Sequence, residues 1–366
     1  MSRFLIFLCL FLQIFSFCLS NNLSDVRGKN RGDNPFGVLA FLSWNHTWNS
    51  FKYPKKDLEK AVELLKELGV SFVRVDFYWQ DIEPQKGKFD FSKYDYIVRL
   101  LSENNIKILA ILDYCADWAG KSWNSPPDNL DDFVNFTRKV VQRYKDKIKH
   151  WEVWNEPDSR TYWQPQDEMK TYLKLLKKTY KAIKEIDPSA KILLGGLTSG
   201  GYYALKRIYE MGGKNYFDIV NIHPFVNPLK KDCIKRIKIL CKNIKKLMEK
   251  FGDKEKKIWI TEIGCPGVKK PSKENAWWFG RSPTESGQAE FLRKVFTEIP
   301  KLEFVDKVFW AFFRDCKRHF NTGVDFFGLI RWDFSRKKAF KVYKKCILKW
   351  KKDNNQRSKK SKKSRK

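Results

Sequence analysis

Eight times along this 366-residue chain, an apolar run rich in β-branched residues is followed by an amphipathic segment, and that recurrence limits the folds open to it. The runs are Phe36–Leu42, Phe72–Trp79, Lys107–Tyr114, His150–Pro157, Lys191–Leu197, Asp218–Phe225, Lys257–Gly264 and Lys307–Asp315, with starts 27 to 50 residues apart. Each interval accommodates one strand, one helix and two loops. In the first intervening segment Leu58, Ala61, Val62, Leu65 and Leu68 share a face at helical spacing, and Gly69 is placed to end the helix. The runs are continuously apolar, as strands of a parallel sheet covered on both faces should be. Alternation of this kind predicts a parallel α/β sheet, open or closed. Eight units, with no GxGxxG and no phosphate-binding loop, favour closure into a single-domain (β/α)8 TIM barrel.

The two ends read differently from the body. Phe4 to Phe17 form an apolar run behind Met1-Ser2-Arg3, short for a membrane span but suited to a signal peptide, with Cys18 and Ser20 placed for cleavage before Asn21. Residues 1–20 are therefore expected to be a signal peptide, with an uncleaved anchor as the alternative. The mature protein is then secreted, or periplasmic or cell-surface. Residues 349–366 carry ten Lys and Arg against Asp353 alone, and this basic tail is expected to be disordered. Of the formal net charge of +31, one unit belongs to Arg3 and nine to the tail, leaving about +21 on residues 21–348. Such a charge favours anionic surfaces, although a simple preference for Lys at exposed positions accounts for it equally well.

Six cysteines remain beyond the leader. Cys233 and Cys241, eight apart in a helical stretch, would sit roughly 12 Å apart at the helical rise, too far to bridge. Cys265 and Cys316 each follow a strand and form a geometrically workable pair. No CxxC or Cys/His cluster points to zinc.

In such a barrel the chemistry lies at the C-terminal ends of the strands. The fourth run ends Trp154-Asn155-Glu156-Pro157 and the seventh Trp259-Ile260-Thr261-Glu262. Carboxylates at the mouths of strands four and seven face each other across the pocket. Glycoside hydrolysis needs such a pair, one to protonate the leaving oxygen and one to attack or stabilise the anomeric carbon. Asn155 is placed to hydrogen-bond a sugar hydroxyl beside that carbon. The bland alternative, two surface glutamates that each follow a Trp-rich strand by chance, explains less.

Val73-Arg74-Val75-Asp76, Ile82-Glu83-Pro84, Phe89-Asp90-Phe91, Ile222-His223-Pro224 and Phe309-Trp310 accompany these two motifs in order. With them the sequence resembles clan A of the glycoside hydrolases over about residues 34 to 345. It is most similar to the group around family 39, which holds β-xylosidases, iduronidases and bacterial exopolysaccharide endoglycosidases. The resemblance implies a retaining O-glycosyl hydrolase with Glu156 as general acid/base and Glu262 as nucleophile. It also implies that Arg74 holds Glu262 ionised, that His223 is a hydrogen-bond partner of the nucleophile, and that Trp310 floors the subsite of the reacting sugar. One position departs from the pattern. Many clan members carry a Tyr two residues after that His, contacting the nucleophile, and here the residue is Phe225.

Trp44, Trp79, Tyr114, Trp118, Trp163, Trp277, Trp278 and Trp332 fall in strand-end loops and, as a set, suggest a cleft that grips several sugars. The stretch from Pro271 to Pro283 reads as a rim loop. The expected partner is an extracellular or cell-envelope polysaccharide or oligosaccharide, acidic or neutral, with the tail adhering to an anionic cell surface. No nucleic acid is expected, because an acidic pocket repels phosphate. A monomer is expected, with no metal or organic cofactor, since two carboxylates suffice. The competing readings are a non-catalytic carbohydrate-binding barrel, against which both glutamates argue, and a transglycosylase on the same scaffold.

Overall fold

A computed structural model describes residues 34–46 and 53–363 of the chain. The leader expected at 1–20 lies outside the described residues. Eight parallel strands close into a barrel in sequence order: β1 Phe36–Leu39, β2 Phe72–Tyr78, β3 Lys107–Asp113, β4 His150–Asn155, β5 Lys191–Gly196, β6 Ile219–Ile222, β7 Lys257–Ile263 and β8 Val305–Ala311. The barrel closes where Gly37 of β1 lies in register with Phe309 of β8. Each apolar run thus forms its strand, while the last one to three residues of most runs turn out into the loops that build the mouth.

The main helices follow the strands: α1 Lys55–Leu68, α2 Ser92–Glu103, α3 Leu130–Tyr144, α4 Lys170–Ile186, α5 Gly201–Glu210, α6 Cys233–Lys250, α7 Glu285–Glu298 and α8 Lys338–Lys363. In α1 the face of Leu58, Ala61, Val62, Leu65 and Leu68 is buried, and Gly69 ends the helix in the left-handed conformation with its N–H on the Leu65 carbonyl. Gly suits that position because it has no Cβ to strain there.

Side-chain alternation sorts the strands into an inner and an outer face. Phe72, Leu109, Leu193, Ile219, Trp259 and Phe309 form one buried cluster inside the barrel. Rings from opposite walls meet there, with Phe72 and Trp259 at 5.2 Å between centroids. Phe77 points outward to Tyr94 and Tyr144 of the helix layer. Two steps along β2 from Phe72, Arg74 therefore faces inward, above the apolar floor. The same alternation that packs the core delivers a guanidinium to the pocket.

The barrel unit comprises Pro35–Ile347. The tail departs from the expectation of disorder, because α8 continues to Lys363. The reason is cooperative. Phe340, Tyr343 and Ile347 are buried and supply a packed nucleus, and Lys, Gln and Arg propagate a helix well once one exists. The Cys265–Cys316 pair also fails to form. Both thiols are buried and free, as are Cys115, Cys233 and Cys241, while Cys346 is half-buried.

Candidate active site

The end of β4 is where local backbone shapes the site. In an uninterrupted strand Asn155 and Glu156 would face opposite ways. Trp154, at φ 67°, and Glu156, at φ 42°, occupy the left-handed region and break the alternation. A non-glycine residue there costs roughly 1–2 kcal/mol and persists only when its surroundings hold it. They do so here. The Trp154 indole N–H donates to the Tyr162 carbonyl at 2.8 Å, and its ring packs edge-on to Trp163 at 4.9 Å. Alongside, a Cβ on Gly195 would lie 2.7 Å from the Trp154 carbonyl oxygen, and one on Gly196 would lie 1.9 Å from His223 Nε2. The Gly-Gly end of β5 makes room for both.

Arg74 organises what the strands deliver. Its Nε and one terminal nitrogen donate to both oxygens of Glu152, at 2.7 and 2.8 Å. The other terminal nitrogen donates to Glu262 at 2.6 Å, and a further N–H reaches the Asn155 side-chain oxygen at 3.0 Å. Asn155 in turn donates to the Tyr114 hydroxyl at 3.1 Å. Arg74 is thus the partner of Glu262 that the resemblance implies. Asp76 takes no hydrogen bond from it and accepts instead from the Trp44 indole at 2.6 Å. Glu152, fully buried, escapes the sequence reading because it sits mid-strand where an apolar residue is expected. Its only signal is a carboxylate inside an otherwise apolar run, which must be paired if buried.

His223 differs from expectation in its partner. Its Nδ1 lies 2.8 Å from Glu156 and 3.9 Å from Glu262, so its hydrogen bond goes to the acid/base candidate and not to the nucleophile candidate. Its Nε2 lies 2.9 Å from the Thr261 hydroxyl. Both candidate carboxylates keep a sliver of exposure, 14% for Glu156 and 13% for Glu262, while His223 and Glu152 have none. Of these four groups only Glu156 and Glu262 reach the surface of the pocket.

Electrostatics separate the two acids. Burial pushes the Glu156 carboxyl up to about 8, with the nearby Asp158 adding to the rise and Arg74 opposing it. Burial also raises Glu262, against the pull of His223 and Arg74, so the depressed pKa expected from Arg74 alone does not result. The reason is burial itself, which outweighs both pulls, with the charges of Glu156 and Glu152 adding to the rise. Glu262 is nonetheless the acid with the direct cationic partner, and that contact favours its charged form. Burial takes His223 down to about 4, leaving it neutral near pH 7.

Trp310 is a correction. It is fully buried between β8 and α7, its ring 6.3 Å from Phe291 and 6.4 Å from Phe296, with its N–H on the Phe327 carbonyl. Phe309 faces the core, so its neighbour must face the helices, and Trp310 offers no surface to a sugar. Of the loop aromatics, Trp79 and Trp163 are buried core, Trp44 and Trp277 nearly so, and Trp332 stacks on the Arg314 guanidinium. Trp278 stands 61% exposed, braced by Phe225 at 5.1 Å, and Trp123, absent from the sequence reading, is 43% exposed against Tyr114. Phe225 thus supports the rim in place of the missing hydroxyl. Among the described residues no His, Cys, Asp and Glu side chains are grouped to hold a metal ion.

A closed eightfold barrel with facing carboxylates at the ends of strands four and seven defines a glycoside hydrolase of clan A. The chain belongs to the cellulase family, glycosyl hydrolase family 5, whose model matches residues 32–294. A family 39 glycoside hydrolase from Bacteroides cellulosilyticus WH2 shares the fold at TM-score 0.69 and 23% identity, over 86% of this chain and 63% of that one. A monomeric β-xylosidase from Caulobacter crescentus CB15 does so at TM-score 0.64 and 18% identity, over 85% and 67%. Among curated proteins, a chloroplastic galactolipid galactosyltransferase of Arabidopsis thaliana is 29% identical over 156 residues, 38% of this chain and 24% of its own. A β-galactosidase of Bifidobacterium bifidum is 24% identical over 190 residues, 44% and 28%. The chain spans about a quarter of the length of these curated relatives.

Proposed function

We propose that this protein is a retaining glycosidase that cleaves an extracellular or cell-envelope polysaccharide by double displacement. The observation that carries the reading is the placement of both carboxylates on one histidine nitrogen. Oxygens 2.8 and 3.9 Å from Nδ1 lie no farther apart than those two lengths laid end to end. That upper limit admits the short separation of retaining enzymes, about 5–5.5 Å, and leaves out all but the lowest edge of the roughly 6.5–9.5 Å range in which an inverting water fits. Glu262, ion-paired with Arg74, attacks the anomeric carbon as Glu156 gives its proton to the departing oxygen. Water then enters, loses a proton to Glu156, and releases the sugar from Glu262.

Transfer to an acceptor alcohol instead of water is the second reading, favoured by the likeness to a plant galactosyltransferase. The exposed Trp278 and Trp123 supply apolar faces on which sugars stack at the rim. The leader at 1–20 directs export, and the basic end of α8 adheres to an anionic surface. The test is a panel of neutral β-glucans, xylans and uronate-containing polymers, with product sizes read out. Shortened chains with new reducing ends are expected from at least one polymer. Binding without cleavage across the whole panel would leave the carbohydrate-binding barrel instead.

A further inference from the structure

A chain of three buried side chains ends on Glu156, and the direction of every hydrogen bond in it follows from its first member. Asn221 donates through its amide nitrogen to the Leu194 carbonyl at 3.2 Å. A carbonyl only accepts, so the amide cannot be turned the other way, and its oxygen faces Thr261. The Thr261 hydroxyl has one proton and gives it to that oxygen, at 2.8 Å. Toward His223 it therefore accepts, which places a proton on Nε2. A neutral imidazole has only that one, so Nδ1 carries a bare lone pair. The group 2.8 Å from Nδ1 is the Glu156 carboxyl, and it must be the donor.

We infer that Thr261 and Asn221 are positioning residues which fix the His223 tautomer so that Glu156 is held as the protonated acid. They touch no substrate, since Asn221, Thr261 and His223 are fully buried. They act by making the ionised form of Glu156 costly, because a carboxylate would face a lone pair instead of a donor. In a retaining cycle this serves both steps. Glu156 rests as an acid, and after giving its proton away it is a strong base for the incoming water. Among the described residues Glu156 and Glu262 are the carboxylates within 4 Å of Nδ1, and Glu156 alone is at hydrogen-bond distance, so the relay has one output.

The inference rests on Glu156 as the proton donor, but its test needs no substrate, so the two fail separately. The full chain is labelled with nitrogen-15 in its four histidines, and the His223 signal is assigned by its loss in His223→Asn. In the wild type, ring-nitrogen NMR is expected to show the Nε2–H tautomer near pH 7, with a titration midpoint near 8 as Glu156 ionises. Thr261→Val removes the acceptor for Nε2–H. The imidazole is then free to turn its proton to Nδ1 and donate to a Glu156 carboxylate. The tautomer switches and the midpoint falls by at least about one pH unit. Thr261→Ser keeps the hydroxyl and both wild-type properties. A purely structural threonine would leave tautomer and midpoint alike in the Val and Ser variants. An Nδ1–H tautomer in the wild type, or an unmoved midpoint in folded Thr261→Val, overturns the inference.

Discussion

Glu262→Ala is expected to lower turnover of an aryl glycoside by at least about 10⁴-fold, because no other side chain in the site both reaches the anomeric carbon and rests beside a cation. Glu262 accepts from Arg74 at 2.6 Å, a contact that favours its charged form. A small anion such as azide enters the gap left by the side chain and attacks directly, giving a glycosyl azide of inverted configuration. Glu156→Ala behaves differently. Its carboxyl supplies a proton, a contribution of roughly 10²–10⁴, and substrates whose leaving group needs no proton keep most of their first step. Azide then yields a product of retained configuration. Steady-state kinetics with leaving groups of graded acidity distinguish the two roles. Equal losses for both variants on every substrate would contradict them.

Removing the cation is the second large effect. Arg74→Met leaves Glu152 and Glu262 buried without the charge that balances them, and a broken buried pair costs about 3–5 kcal/mol. Urea unfolding is expected to show that loss, along with loss of activity, because Glu262 then keeps its proton. Adding Glu152→Leu to Arg74→Met removes the second stranded carboxylate and should recover much of the stability but none of the activity. Stability recovered together with turnover would mean that Arg74 serves the fold alone. Unchanged stability in the single variant would mean that the pair is not buried in solution.

The barrel and the two carboxylates at its mouth were legible because one periodicity wrote both. Eight apolar runs with helical segments between them specify the closed sheet, and chemistry in such a sheet is confined to strand ends, where Glu156 and Glu262 stand out. What the sequence hid lies one step from that pattern. Trp310 sits on a strand where adjacent residues face opposite ways, so a motif match could not say which face it takes until Phe309 was seen in the core. Glu152 reads as an intruder in an apolar strand, and only its contact with Arg74, 78 residues away, explains it. His223 was recognised as part of the site, yet its partner is set by where the barrel seats the ring, in space that only a glycine at 196 leaves open. The helical tail was missed because composition reports the cost of charge and not the packed turn from which a helix propagates.

The most direct measurement is NMR of the anomer first formed by the wild type, taken before mutarotation mixes the products. Attack by Glu262 inverts the anomeric carbon and attack by water inverts it again, so the account predicts a first product with the configuration of the substrate. A first product of inverted configuration would mean a single displacement by water, and would contradict the assignment of Glu262 as nucleophile.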